Sequence, residues 1–362
     1  MDEIKKSETG ANIIYVNTEL AEFRHIKTDL ELYDFIASRL TTGQKNFVFV
    51  DEIQDIANFE NAIRSLYAEE KSDIYLTGSN AHLLSGELTT YLAGRYIQFQ
   101  IHPLGYQEFL TFYNLENTAE TLRKYFRIGG MPYLASLPVD NEHLGREYLK
   151  NVYESILLRD VVIRENIRNV RFLENLANYL ADNTGSLVSA NNISKYLKNQ
   201  KIKIPVQTVI SYLSALEKSF IVCKVSRAEV KGFKIFEIGE KYYFEDIGMR
   251  NILAQNPPAL DMAKLVENAV YLFLEQRGFK IFVGKDGDKE IDFIALKDGT
   301  KIYVQTALRI SDKATYLREF GNLENIPDNF PKYVVTLEDD FNTVTSKGII
   351  CMGLKEFLVM DI

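Results

Sequence analysis

The chain has 362 residues, a length that exceeds one ordinary hydrophobic core and predicts two or three domains. Hydrophobic residues at 46% and charged residues at 25% are typical of a soluble globular protein, and the net charge of −8 argues against nonspecific binding of polyanions by the whole surface. The two cysteines, Cys223 and Cys351, lie too far apart for a metal-binding spacing; so few cysteines exclude a disulfide scaffold and indicate a reducing compartment.

Neither a signal peptide nor a membrane span is visible in the sequence. The amino terminus, MDEIKKSETG, lacks an apolar core, and no segment approaches the roughly 18 uncharged apolar residues that a span needs. We therefore expect a cytoplasmic protein without a membrane partner.

The first hundred residues alternate between strand and helix patterns. Strand-like runs lie at 12–16, 47–50 and 73–77, and apolar residues at helical spacing separate them. The fully apolar run FVFV at 47–50 is typical of a central parallel strand that is buried on both faces. This alternation predicts a doubly wound α/β sheet, in which functional groups collect at the carboxyl ends of the strands.

Two adjacent acids, Asp51 and Glu52, follow FVFV, and Ser79 and Asn80 follow the next strand. At the rim of a nucleoside-triphosphate hydrolase, Asp51 would hold a metal ion through water, Glu52 would be the general base, and Ser79 or Asn80 would sense the terminal phosphate. The alternative is that the two acids cap the following helix. The polar end of the next strand favours the first interpretation.

Five segments, in order, resemble motifs of a family of prokaryotic AAA-type ATPases: FVFVDEIQD, IYLTGSNAHLLS, LAGRY, HPLGYQEFL and RIGGMPYL. The resemblance covers essentially the whole chain. It implies a Walker B strand, a sensor strand, a glycine-arginine pair, a lid, and a carboxyl half of unknown function, with ATP and Mg²⁺ as cofactors at the family level. It also implies that Arg95 faces a phosphate; a surface arginine after Gly94 is the alternative.

The phosphate-binding loop of this family is missing from the chain. That loop needs GxxxxGK followed by Ser or Thr, and the only Gly-Lys pair, Gly284-Lys285, precedes Asp286. Eleven residues precede Asn12, fewer than the roughly 30 that a strand, loop and helix require, so the chain resembles a member that begins late. We expect an incomplete core over residues 1–112 that binds no nucleotide alone and self-associates at its exposed sheet edge.

A helical lid is predicted for residues 113–170 and a winged-helix domain for 171–256, where three helical patterns precede a β hairpin. Residues 186–241 contain ten Lys or Arg and only four Glu. This basic island predicts contacts to DNA phosphates, and a protein-contact module is the alternative. The residues assigned to DNA contact are Lys201, Lys203, Lys231 and Lys234.

Residues 257–362 resemble the restriction-endonuclease-like, PD-(D/E)xK, fold. Its order of helix Glu, strand Asp and acid-x-Lys corresponds here to Glu267, Asp292 and the strand with Gln305. In that fold carboxylates hold Mg²⁺ and the Lys activates the nucleophile. Gln305 stands where an acid is needed and Ala307 where the Lys is needed, so we expect a degenerate site that cuts no DNA.

The sequence therefore predicts an α/β protein made of an incomplete P-loop NTPase sheet, a lid, a winged helix and a small restriction-endonuclease-like domain. We interpret it as an AAA-family ATPase-like protein without its phosphate loop, a nucleotide-dependent, binding or scaffolding module that is inactive as an enzyme by itself. Two alternatives remain: a fragment of an active ATPase whose Walker A lies upstream, and a DNA-binding protein that does not cut.

Overall fold

The computed structural model describes residues 1–79, 94–137, 142–199, 201–230, 232, 234–287, 289–310, 313–338 and 343–362. The chain divides into two compact units, Met1–Gln100 and Ile101–Ile362. None of the described helices combines the length and the apolarity that a membrane span requires.

The first unit contains a parallel sheet of three described strands. They lie side by side in sequence order: β1 (Asn12–Asn17), β2 (Asn46–Asp51) and β3 (Ser72–Leu76). The described helices of this unit are α1 (Asp2–Ser7), α2 (Asp29–Ala37) and α3 (Phe59–Ala68). Phe47, Val48 and Val50 of the central strand are buried, and Val48 and Val50 belong to a core that the strand shares with α2 and α3. The parallel α/β sheet predicted for this region is confirmed.

The second unit begins with helices. They are α4 (Tyr106–Tyr113), α5 (Ala119–Ile128) and α6 (Glu142–Ile156), the last of which continues as a π-helical segment, Leu157–Ile163. A helix, a short strand, two helices and a two-stranded hairpin follow: α7 (Val170–Asp182), β4 (Leu187–Val188), α8 (Ala190–Asn199), α9 (Val206–Lys218), β5 (Val222–Glu229) and β6 (Ile235–Phe244).

The rest of the second unit alternates helices with strands. Its elements are α10 (Ile247–Leu253), α11 (Met262–Gln276), β7 (Lys280–Asp286), β8 (Lys289–Lys297), β9 (Thr300–Ala307), α12 (Lys313–Glu324), β10 (Lys332–Thr336), β11 (Thr343–Val344), β12 (Ile350–Gly353) and α13 (Leu354–Phe357). Strands β7, β8 and β9 are antiparallel neighbours, and β10 pairs with β9 in parallel.

One sheet crosses the boundary predicted between residues 256 and 257. Its order of described strands is β11-β12-β10-β9-β8-β7-β5-β6-β4. The hairpin joins the later strands through parallel pairing of Arg227, Ala228 and Glu229 in β5 with β7. The segments predicted as 113–170, 171–256 and 257–362 therefore lie in one compact unit, and the division from the first unit falls at residue 100.

Candidate functional site

Polar side chains from β1, from the end of β2 and from the residues that follow β3 meet around Asp51. Its Oδ2 accepts hydrogen bonds from the Tyr15 hydroxyl and from Asn17 Nδ2, both at 3.2 Å. Its Oδ1 accepts a hydrogen bond from the hydroxyl of Thr77, which directly follows β3. The carboxyl ends of parallel strands share one edge of a sheet, so donors from β1 and β3 fix the orientation of the acid at the end of β2.

Glu52 leaves the strand in a left-handed backbone conformation with φ 55°. This conformation is uncommon for a residue with a side chain, and it turns Glu52 out of the strand direction. Glu52 Oε2 accepts hydrogen bonds from Ser79 Oγ at 3.2 Å and from Gln54 Nε2. The structure thus brings Asp51, Glu52 and Ser79 to one edge.

The capping alternative for the two acids does not hold. Glu52 precedes a short 3-10 helix, Ile53–Asp55, but its side chain makes no capping hydrogen bond there. The next α-helix, α3, begins only at Phe59, and its N-cap residue is Asn58. Both carboxylates are instead held by donors that follow β3 or belong to β1.

The remaining residues predicted for this site are placed differently. Asn80 lies outside the described residues. The guanidinium carbon of Arg95 is 5.9 Å from the ring centre of Tyr67, in the last turn of α3. Because α3 leads from the Asp51 edge to the start of β3, this contact lies at the end of the helix remote from Asp51. A role for Arg95 at a phosphate stays a prediction.

A cavity of about 570 Å³ in the second unit collects the residues of the predicted nuclease-like site. Glu267 of α11, Asp292 of β8 and Gln305 of β9 all line it. In the antiparallel pair β8 and β9, Phe293 pairs with Val304, and next to this pair Gln305 Oε1 accepts a hydrogen bond from the backbone N–H of Asp292 at 3.3 Å. The three residues selected from the sequence are therefore neighbours.

A lysine reaches the same acids from the hairpin. Lys241 of β6 is 3% exposed, and its Nζ lies 2.9 Å from Glu267 Oε1 and 2.8 Å from Glu290 Oε1. The Tyr243 hydroxyl donates a second hydrogen bond to Glu267 Oε1 at 2.7 Å. We call Lys241, Glu267, Glu290 and Asp292 the carboxylate cage. Sequence reasoning counted Lys241 with the basic island, although a lone lysine within the buried run KYYF was a signal of an internal ion pair.

Further polar groups complete the cavity wall. Asp292 Oδ2 accepts hydrogen bonds from the Thr306 backbone N–H at 2.8 Å and from its hydroxyl at 2.7 Å. Glu319 of α12 is buried; its Oε1 lies 2.6 Å from Arg318 Nη2, and it is also hydrogen-bonded by the Gln305 side chain. Gln305 thus links the backbone of β8 to an acid on α12. Sequence analysis missed Glu319.

Burial governs the protonation of the cage. It raises the pKa of Glu267 to about 7, with a further rise from the nearby charge of Asp292 and an opposing effect of Lys241. Burial also raises the pKa of Asp292. For Lys241, burial alone would lower the pKa, but the charges of Glu267, Asp292 and Glu290 outweigh it and raise the pKa. The ammonium group therefore stays charged, while Glu267 titrates near neutral pH.

The basic island divides into exposed and paired lysines. Lys201, Lys203 and Lys234 are exposed, as a contact to DNA would require. Lys218 and Lys224 form ion pairs with glutamates at 3.3 and 3.6 Å. Lys231, also predicted to contact DNA, lies outside the described residues.

Comparisons with known proteins match both halves of the chain. Residues 1–110 match the family model of an AAA domain, and residues 119–260 match a domain model of unknown function. An uncharacterized protein of Haemophilus influenzae is 33% identical over 330 residues, which are 90% of this chain and 81% of the relative. An uncharacterized protein of Methanocaldococcus jannaschii is 28% identical over 353 residues, 92% of this chain and 78% of the relative.

Two solved structures are more distant. A Walker-type ATPase of Pyrococcus abyssi has 16% identity and a TM-score of 0.40, and the match covers 67% of this chain and 83% of that chain. Cdc6p from Pyrobaculum aerophilum has 12% identity and a TM-score of 0.27, with 74% and 82% covered.

Proposed function

The chain belongs to a family of AAA-domain proteins, and on that basis we propose that it is an ATPase-like module that supplies the acidic half of a Mg²⁺–nucleotide site without hydrolysing ATP alone. The observation that carries the proposal is the convergence of Asp51, Glu52, Thr77 and Ser79 at the strand ends, in a chain that contains no GxxxxGK followed by Ser or Thr. We propose that the module works as a binding or scaffolding unit.

The strand-end residues fit their part of such a site. Asp51 is oriented by Tyr15, Asn17 and Thr77, so its carboxylate could hold a water of a hydrated Mg²⁺ ion. Glu52 is oriented by Ser79 and could polarise an attacking water. Positioning of the phosphates, which supplies much of the rate in phosphoryl transfer, would need backbone N–H groups and a lysine that this chain does not supply.

We expect the purified chain with Mg²⁺ and ATP to release phosphate no faster than its Glu52→Gln variant. The reason is that a general base does not act on a phosphate that nothing anchors. Phosphate release and calorimetric ATP titration would measure this, with Glu22→Gln, an exposed acid of the same unit, as the matched control. ATP binding at micromolar concentration, with hydrolysis that Glu52→Gln abolishes and Glu22→Gln keeps, would contradict the proposal.

One observation distinguishes the proposed module from the alternative, an active ATPase with a longer chain. A strand followed by GxxxxGK and Ser or Thr in the coding sequence upstream of Met1 would favour it. The longer chain should then hydrolyse ATP, and Glu52→Gln should abolish that activity.

A second candidate function is DNA binding by the middle of the chain. The order helix, short strand, two helices and hairpin, with β4 paired to β6, supports a winged-helix arrangement. Lys201 and Lys203 precede α9, the third helix of that arrangement, and Lys234 precedes β6. All three are exposed, so their charges are available to phosphates.

We expect Lys201→Glu with Lys203→Glu to weaken binding to duplex DNA and to reduce the slope of log affinity against log salt by about 2, since each lost phosphate contact removes about one unit. Fluorescence anisotropy over a series of KCl concentrations would measure both quantities. Lys6→Glu, an exposed lysine of α1, is the control. Binding without salt dependence, or an equal loss in the control, would exclude these contacts.

We propose that the cavity of the second unit is not a nuclease active site. The order α11, β7, β8, β9, α12, β10 supports a restriction-endonuclease-like fold. However, the Lys241 ammonium group lies against both Glu267 and Glu290, where it takes the place of a cation between the carboxylates. Arg309, which follows β9, pairs with Glu338 at 3.7 Å and does not line the cavity, whereas Lys289 and Arg318 do line it.

A further inference from the structure

The cavity of the second unit combines buried acids with exposed aliphatic side chains. Its volume of about 570 Å³ lies in the range of ordinary small-molecule sites. Asp292 and Glu319 of its lining are only 8% and 4% exposed, whereas Leu308 and Leu317 are 40% and 56% exposed. The cavity therefore suits a ligand that joins a polar group to an apolar chain.

The charges that surround the cavity are unequal. Its lining contains four acids and two bases, and Lys241 of the carboxylate cage adds a third cation. Lys241 already lies against Glu267 and Glu290. Arg318 Nη2 lies 2.6 Å from Glu319 Oε1. With all four acids ionised, the three cations leave one negative charge unbalanced, and a single positive charge on a ligand would balance it.

One carboxylate oxygen of the lining is available to a ligand. Asp292 Oδ2 accepts both hydrogen bonds from Thr306, at 2.8 and 2.7 Å. Asp292 Oδ1 accepts no hydrogen bond from any residue that the structure describes. Because a carboxylate oxygen without a donor costs free energy in a buried site, a donor that enters the cavity gains by reaching it. A positively charged donor forms the strongest bond of this kind.

The spacing of the acids favours an organic ammonium group over a metal ion. Mg²⁺ and Ca²⁺ take about six or more oxygen ligands in a closed shell. Among the described residues, the acids of this cavity do not bring three ligand atoms within 4.8 Å of one another. An ammonium group needs only hydrogen-bond acceptors, and Glu267 and Glu290 already share one, that of Lys241.

We propose that the cavity binds a primary aliphatic amine in its protonated form, with the ammonium group at Asp292 Oδ1 and the carbon chain against Leu308 and Leu317. A free alkylamine or diamine and the lysine side chain of a peptide share this chemistry. Lys289, an exposed base of the lining, lowers the affinity by charge repulsion. The proposal rests on the interpretation that the cavity is not a nuclease active site, and it is independent of the ATPase-like role of the first unit.

Calorimetric titration of the full-length chain with n-pentylammonium at pH 8 and low salt tests the proposal. Binding is expected at millimolar concentration or below. The affinity should fall about fourfold for each methylene group removed in the series from pentyl- to methylammonium, because each buried methylene contributes to binding. Pentanoate, which has a similar chain but a negative charge, should not bind. Parallel titrations with 1,5-diaminopentane and Nα-acetyl-lysine amide identify the source, since the tighter of the two is the closer model of the ligand.

Two variants of the lining should change the affinity in opposite directions. Asp292→Asn should weaken pentylammonium binding about 10-fold or more, because it removes a hydrogen bond between charged groups. Lys289→Gln should tighten it about twofold or more, because it removes an exposed repelling charge. A gain in affinity does not arise from a folding defect, so Lys289→Gln tests the proposal even if Asp292→Asn does not fold. Glu147→Gln, which changes an exposed acid of α6, is the matched control and should bind like the parent.

Three results would overturn the proposal. They are a folded parent protein that binds no alkylammonium ion at millimolar concentration, an affinity that does not depend on chain length, and a folded Asp292→Asn variant that binds pentylammonium like the parent. Magnesium-dependent cleavage of duplex DNA, measured separately on the same protein, would instead overturn the interpretation that the cavity is not a nuclease active site.

Discussion

Asp261→Asn should lower the free energy of unfolding of the second unit by about 3–5 kcal/mol, the usual effect of removing one partner from a buried ion pair. Asp261 Oδ2 bonds directly to Nη2 of Arg250, which is 0% exposed. Arginine does not lose its proton, so the substitution leaves a positive charge in the interior without a counter-charge. The remaining bonds, from Arg250 Nε to the Ala181 carbonyl at 3.0 Å and from Nη1 to Asn251 Oδ1 at 3.5 Å, go to neutral groups and provide no counter-charge.

Denaturation by urea would measure this effect. The chain has 21 Tyr and no Trp, so tyrosine fluorescence and circular dichroism are the suitable signals. The control is Glu147→Gln, which removes an exposed ion pair with Lys150 at 3.5 Å and should change stability by less than about 1 kcal/mol. A loss in Asp261→Asn no larger than in this control would show that the pair does not stabilise the unit.

The same pair has a defined pH dependence. Burial would raise the pKa of Asp261, but its bonds to Arg250 and Lys264 outweigh burial and lower it. A lowered pKa in the folded state contributes stability above the unfolded value of about 3.9 that is lost as the pH falls through the folded value. The difference in free energy of unfolding between the parent and Asp261→Asn should therefore have its full size at pH 7 and decrease below about pH 4.

The position of Arg250 explains why we expect the loss of this ion pair to lower the free energy of unfolding so strongly. Its side chain belongs to α10 and bonds to the end of α7 and to Asp261, the residue at the start of α11. It thus joins the helices predicted as a winged helix to the helix that carries Glu267. The continuous sheet makes the same connection through β5 and β7, so both parts should unfold together.

The parallel sheet of the first unit could be predicted from the sequence because the patterns that indicate it are local. A central parallel strand buried on both faces must be apolar at successive positions, and FVFV at 47–50 shows this directly. The ends of such strands share one edge, which placed Asp51 near Ser79 without knowledge of the packing. The left-handed turn at Glu52 was not predictable, because no glycine or asparagine marks it.

The second unit was harder because its decisive contacts join distant residues. Pairing of Arg227 with Val283 makes the hairpin part of the later sheet, and no local pattern reveals a parallel pairing. The order of helix and strands was enough to predict that Glu267 and Asp292 are neighbours. Lys241 reaches Glu267 from the hairpin, and the sequence analysis counted its charge with the basic island. The strand pairing and the partner of Glu267 therefore depend on long-range packing, which the order of elements in the sequence does not specify.

Lys241→Met should destabilise the second unit by about 3–5 kcal/mol at pH 8 and by clearly less at pH 5. Methionine keeps most of the length of the lysine stem but brings no charge, so Glu267 and Glu290 lose their shared cation. The control is Lys347→Met, which removes an exposed lysine paired with Glu324 and should change stability little at either pH. Urea denaturation at pH 5, 6, 7 and 8 would measure the difference.

The pH dependence follows from the pKa of Glu267, which burial raises to about 7 in the folded protein. A raised acid pKa contributes stability that is present below the unfolded value of about 4.3 and is lost as the pH rises through the folded value. Without Lys241 that pKa rises further, because the lysine is one of the groups that lower it. At pH 8 the variant must either ionise an unpaired buried carboxyl or keep it protonated at a cost, whereas at pH 5 the proton is already bound.

If Lys241→Met lowers the free energy of unfolding equally at pH 5 and pH 8, Lys241 acts through packing alone. A loss that largely disappears at pH 5 would establish the ammonium group as the counter-charge of the cage. Lys241 would then hold Glu267 and Glu290 together as an internal cation. Such a counter-charge would account for the two carboxylates Glu267 and Asp292 lying together in a cavity beside the neutral side chains of Gln305 and Ala307.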